Sequence, residues 1–180
     1  MSNKLSYSGI GSRDIPLWAQ DQCFRIAQFL ANNHYTLRSG GADGADKSFE
    51  LGCDSVGGNK EIYLPWSGFN NSTSRFVVCN PKAFEIAQQF HPAWNRLSQG
   101  ARKLHARNTH QVLGFGLRTP VQFVVCFTPN ASGSGGTGQA LRIAKHYNIP
   151  IFDIGAYSNP RACYTAFLEF FNKLNKSTNL

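Results

Sequence analysis

Val121-Gln122-Phe123-Val124-Val125-Cys126-Phe127-Thr128 is an apolar run of strand length, and Ser132-Gly133-Ser134-Gly135-Gly136-Thr137-Gly138-Gln139 follows it as a glycine-rich turn. The turn leads into a segment of helical periodicity, predicted as a helix over 137–147, and Ile151-Phe152-Asp153-Ile154 then completes a βαβ unit. Strand, glycine turn and helix in succession aim free backbone N–H groups and the positive end of a helix at one point. That arrangement suits a phosphate. Ser134, Gly135, Gly136 and Thr137 are therefore the first candidate ligand-binding residues. A flexible surface hairpin would use the same glycines, but the flanking strand and helix argue against it.

Working outward, the rest of the chain repeats the alternation. Leu5 to Gly11 reads as a first strand. Pro16 suits the first turn of a helix, in which Trp18, Cys23, Ile26, Ala27 and Leu30 recur at helical spacing up to Asn32-Asn33. Tyr35 to Arg38 is a short strand ending at a second glycine turn, Ser39-Gly40-Gly41-Ala42-Asp43-Gly44. A helix over 45–53 and a strand over 61–65 come next. A polar loop from Trp66 to Ser74 and a short strand at 76–78 precede two helices, predicted over 81–90 and 92–104. The last helix is predicted over 161–174, with 175–180 as a frayed tail. Strands alternating with helices predict a single α/β domain: a Rossmann-like, mostly parallel sheet with helices on both faces.

With 180 residues, 42% hydrophobic and 16% charged, the chain is expected to be globular rather than disordered. No apolar run reaches the length of a membrane span, and no signal-peptide core follows Met1-Ser2-Asn3-Lys4, so a cytoplasmic protein without a membrane partner is expected. The five cysteines lack CxxC spacing, and the histidines lack HxxxH or HExxH spacing. Neither a disulfide framework nor a metal site is expected, and no cofactor is implied. The formal net charge of +8 favours anionic partners. The charge is spread along the chain, though, and a merely soluble basic protein would show the same.

Ligands of open α/β sheets bind beyond the carboxyl ends of the strands, so four segments should converge there. Gly9, Gly11, Ser12 and Arg13 follow the first strand, where Arg13 suits a phosphate; a tight turn would use the same glycines. Arg38, Ser39, Gly40, Gly41, Asp43 and Asp46 surround the second glycine turn. Asp43 could bind ribose hydroxyls or cap the helix after it. Arg107 and Asn108 would offer donors to an anion or base, or else close the preceding helix and face solvent. The fourth segment is the 132–139 turn. Trp66, beside the long loop, is the best candidate to stack on a base.

Taken together, these segments resemble the SLOG superfamily, the Rossmann-like nucleotide-binding fold shared by DprA/SMF proteins and Lonely Guy enzymes. Ser39-Gly40-Gly41-Ala42-Asp43-Gly44-Ala45-Asp46 is similar to the DprA/SMF pattern of Ser-Gly, two residues, a basic residue and Gly-Ile-Asp, and Arg107-Asn108 to that group's Arg-Asn pair. Gly135-Gly136-Thr137-Gly138 is similar to the Gly-Gly-x-Gly-Thr loop of Lonely Guy enzymes. The resemblance covers roughly residues 5 to 155, poorly over 66–105. It implies a nucleotide-type ligand such as an ADP-ribose-derived or cyclic nucleotide signal of bacterial immunity, which a phage or mobile-element member could sequester. It also implies a homodimer or higher homo-oligomer. The aromatic stripe Tyr164, Phe167, Phe170 and Phe171 could form that interface or belong to the core.

Two departures bear on function. Lonely Guy enzymes carry a catalytic glutamate shortly after the loop, where this chain has Gln139 and Ala140; an amide cannot act as a general base. Asp43 stands where DprA/SMF proteins have a basic residue. Three readings follow: a nucleotide-binding module without strong catalysis, a DprA-like protein that binds single-stranded DNA, and a hydrolase of an N-glycosidic or phosphate bond using Asp46, Glu50 or Glu61.

Overall fold

The computed structural model describes residues 4–177. Residues 1–3, part of the start read above, and 178–180, part of the tail, lie outside the described residues. Six strands form one sheet: β1 (Ser6–Gly11), β2 (Thr36–Ser39), β3 (Lys60–Leu64), β4 (Phe76–Val77), β5 (Phe123–Phe127) and β6 (Ile151–Asp153). Their order is β4-β3-β2-β1-β5-β6, and every pairing among the described residues is parallel. The chain builds outward from β1 to β4, then returns to place β5 on the other side of β1. That reversal leaves a crevice between the two central strands.

β5 shows how the sequence directs the layers. Phe123, Val125 and Phe127 face one core, while Val124 and Cys126 face the other, the two-residue alternation of a strand buried on both sides. The first core is closed by α1 (Leu17–Asn32), α2 (Ala45–Asp54) and α6 (Pro160–Ser177). The second is closed by α3 (Pro81–Gln89), α4 (Gln99–Leu113) and α5 (Gly135–His146). Phe123 lies at the aromatic centre of the first core, against Tyr7, Tyr35, Phe170 and Phe171. Each large side chain buried this way stabilises the fold by about 1.5–3 kcal/mol. The expected fold class is thus the one observed, and no described helix is long and apolar enough to cross a membrane.

Three helices differ most from the sequence reading. The helix expected over 92–104 starts at Gln99 and runs to Leu113. Trp94–Arg96 makes only a short 3-10 turn, and Ser98 caps the helix by accepting a hydrogen bond at Oγ from the Ala101 amide (3.2 Å). Arg107 and Asn108 therefore lie inside α4, buried, instead of after a helix facing solvent. α5 begins at Gly135, two residues earlier than expected, so Gly135 and Gly136 belong to its first turn. α6 continues to Ser177, so Asn175 and Lys176 are helical rather than part of a frayed tail. Phe167 and Phe171 are buried against Phe29, which gives those two members of the aromatic stripe to the core.

Candidate functional site

A cleft of about 340 Å³ opens beyond the carboxyl ends of β1, β2 and β5. Four segments wall it: Gly11-Ser12-Arg13 after β1, Ala42 and Asp46 at the β2–α2 turn, the inner face of α4, and Ser134 to Thr137 at the start of α5. These segments meet because parallel strands all deliver their outgoing turns to one edge.

Arg107 and Asp46 organise the floor. Arg107 Nη1 donates to the Gly40 carbonyl and stands 3.9 Å from Asp46 Oδ2. The same Asp46 oxygen accepts from the amides of Gly40 (3.1 Å) and Ala42 (3.4 Å). The turn is thus held by an arginine on its carbonyl and a carboxylate on its amides. Gly40 has no side chain for a definite reason: a Cβ there would collide with the Arg107 guanidinium. Asn108 fixes the opposite wall, donating from Nδ2 to the Gly136 carbonyl (3.0 Å) and to Gln139 Oε1 (3.2 Å).

The start of α5 is open. Ser134 occupies its N-cap position without making a capping hydrogen bond, and its Oγ pairs with Ser132 Oγ instead (2.8 Å). The orphan amides of the first turn are left for an incoming acceptor, with the positive end of a helix behind them. Arg13 lines the same cleft, is exposed, and makes no ion pair or side-chain hydrogen bond to a described residue.

Burial pushes the Asp46 carboxyl up to about 6, against the pull of Arg107 and the backbone amides. Burial, with His91 nearby, holds the His105 imidazole down to about 4, and burial also lowers His110. These shifts act on stability in opposite senses. Asp46 keeps its proton in the native state between about pH 4 and 6, where an unfolded aspartate has lost it, so its contribution falls as pH rises through that window. His105 refuses a proton between about pH 4 and 6.5 that the unfolded chain accepts, so its contribution rises. Asp46→Asn should remove the falling component and steepen the net rise in stability with pH. Urea unfolding at half-unit steps from pH 4 to 7 measures this, and an unaltered slope would mean that Asp46 titrates like a solvated aspartate.

Of the residues selected from sequence, the cleft brings together Gly11, Ser12, Arg13, Asp46, Arg107, Asn108, Ser134, Gly135, Gly136 and Thr137. The others lie elsewhere. Gly9 is inside β1, where a Cβ would press on Leu37 and Phe49. Arg38 is buried in an ion pair with Glu61 (2.8 Å) and donates to the Thr119 carbonyl (2.5 Å). Ser39 Oγ donates to the Gly9 carbonyl (2.6 Å), lacing β2 to β1. Gly40 supports the floor from behind. Gly41 and Asp43 border a separate small polar hollow under the 70–73 loop, and Asp43 does not cap α2. Trp66 is 40% exposed and lies edge-on to Phe69, outside the cleft. Of the three acid–base candidates, Glu50 pairs with Lys60 (2.8 Å) and Glu61 with Arg38; Asp46 alone lines the cleft.

Sequence reading missed His105 and Gln111. Both lie on α4 one turn or less from Arg107, and a correct start for that helix would have placed them on the cleft.

No protein-family model matches the sequence, and no curated protein matches it significantly. Solved structures do resemble it. DNA processing protein A from Helicobacter pylori, described for its single-stranded DNA binding mode, superposes with a TM-score of 0.57 at 18% identity, over 98% of this chain and 81% of that one. DprA from Streptococcus pneumoniae gives 0.50 at 17% identity, covering 92% of this chain but only 56% of the other. The molybdenum cofactor binding protein from Rippkaea orientalis gives 0.45 at 10% identity. At such identities the first two likenesses are of fold: the chain has a DprA-like, Rossmann-like architecture.

Proposed function

We propose that the chain binds a nucleotide-type ligand in the β1–β5 cleft, of the ADP-ribose-derived or cyclic nucleotide kind, and holds it without cleaving it. The observation that carries this reading is the uncapped first turn of α5 sharing a cleft with the unpaired Arg13. Orphan amides, a helix dipole and a free guanidinium together make a phosphate site. Retention rather than cleavage is supported by Gln139. It is fully buried, outside the cleft lining, and its amide is engaged by Asn108 and by the Ala87 carbonyl (3.4 Å). Asp46, the carboxylate at the cleft among the described residues, already accepts backbone hydrogen bonds and faces Arg107. That occupation suits a brace better than a general base.

A second reading, binding of single-stranded DNA, is favoured by the fold likeness to the Helicobacter pylori protein and by the net charge of +8. One comparison separates them. The purified chain is mixed with ADP-ribose derivatives, cyclic nucleotides and oligonucleotides, and bound small molecules are recovered after heat denaturation. Intact ligand is the expected result. Altered ligand would establish an enzyme, and binding confined to oligonucleotide, falling steeply with salt, would establish the DNA reading.

A further inference from the structure

Gln111 follows Arg107 by one helical turn on α4, so the two side chains lie on the same face. Both line the cleft, and both abut Gly40 behind its floor. A Cβ on Gly40 would collide with each of them. Gln111 is only 2% exposed. Its carboxamide nevertheless makes no hydrogen bond to any described residue, neither amide atom is fully sealed off, and the residue lines the cleft. An unpaired amide in so buried a position weakens a fold that an apolar side chain of the same shape would serve as well. Beside it, Arg107 donates to protein acceptors through Nη1 and Nε, whereas Nη2 bonds to no described residue.

We propose that Gln111 reads the base of the ligand, and that the base presents a lactam edge, a ring carbonyl beside a ring N–H as in guanine, hypoxanthine and uracil. This rests on the nucleotide reading above and narrows it to the cyclic nucleotide kind, because an ADP-ribose derivative carries adenine. A carboxamide offers donors on one arm and an acceptor on the other, so it meets an O=C–N–H edge with two hydrogen bonds. The edges of adenine and cytosine, an amino group beside a bare ring nitrogen, would pair with the amide turned over. Arg107 decides between them. Guanidinium donates only. A carbonyl oxygen has two lone pairs and accepts from Gln111 Nε2 and Arg107 Nη2 together, whereas a ring nitrogen has one, and an exocyclic amino group would turn its own hydrogens toward the guanidinium.

Calorimetric titration of the full chain with guanosine, inosine, uridine, adenosine and cytidine 5′-monophosphates tests this. The three lactam nucleotides should bind about tenfold more tightly than the other two, as one well-matched bidentate contact allows. Gln111→Met should abolish the preference and leave the melting temperature unchanged or raised, because it deletes an unpaired amide and keeps the volume. Five affinities within about twofold of each other, a preference surviving in Gln111→Met, or a lowered melting temperature in that variant would each overturn the assignment. If none of the five nucleotides binds, this inference falls, while the nucleotide reading stands or falls by the mixture of ADP-ribose derivatives and cyclic nucleotides described above. Binding without discrimination sinks only the inference.

Discussion

Gly136→Asp is expected to abolish nucleotide binding while leaving the protein as stable as before or slightly more so. A side chain at 136 meets nothing within 4 Å, and the residue does not have a positive φ, so the substitution causes no clash or backbone strain. An aspartate in the first turn of α5 also favours the helix, by about 0.3–1 kcal/mol. The same carboxylate takes the place intended for an anion. Like-charge juxtaposition costs several kcal/mol, so affinity should fall at least about a hundredfold. Arg13→Ala is the companion variant: it removes a charge-assisted contact of about 1.5–3 kcal/mol from an exposed side chain that holds no other part of the fold. Titration calorimetry with thermal melting of the same samples reads both effects. Unchanged affinity in the two variants would remove the cleft as the binding site.

Gly44→Val should all but unfold the chain. Gly44 adopts φ 76° and ψ −120°, a backbone conformation that side chains other than hydrogen rarely enter. A Cβ there would also strike the backbone carbonyls of Arg13 and Ser12, which cannot withdraw because Ser12 O accepts from the Ala45 amide (3.1 Å). Strain and collision together should cost at least about 3 kcal/mol, a large share of the roughly 5–15 kcal/mol that holds a domain folded. Urea unfolding measures the loss. A midpoint equal to wild type would mean that the turn relaxes at no cost, and that the two loops it joins are not locked together.

The fold was legible in the sequence because its signals are local. The apolar run of 121–128, the glycine turns and the helical spacing of Trp18 to Leu30 each announce their element without reference to anything distant. The converging ends of β1, β2 and β5 then follow from the rule that parallel strands share an outlet. What escaped was positional. Pro92 drew attention as a helix start, although Ser98 carried the capping signal and Gly114, with φ 79°, the stop. That displacement hid Gln111 and His105. The functions of Arg38 and Ser39 were hidden for another reason: their partners, Thr119 and Gly9, are distant in sequence, so a polar residue beside a glycine turn looked like a ligand contact when it was a lace between strands.

The cleft is built unequally. Its floor is cross-braced through Arg107, Gly40 and Asp46, where one substitution disturbs several others. Its far wall, at the start of α5, carries Gly136, whose absent side chain would meet open space without a positive φ to strain it. Change is therefore cheap on one side and dear on the other. Selection, or a designer, can alter the size and charge of what this chain holds by substituting Ser134, Gly136 or Thr137, and leave the folding of the domain untouched.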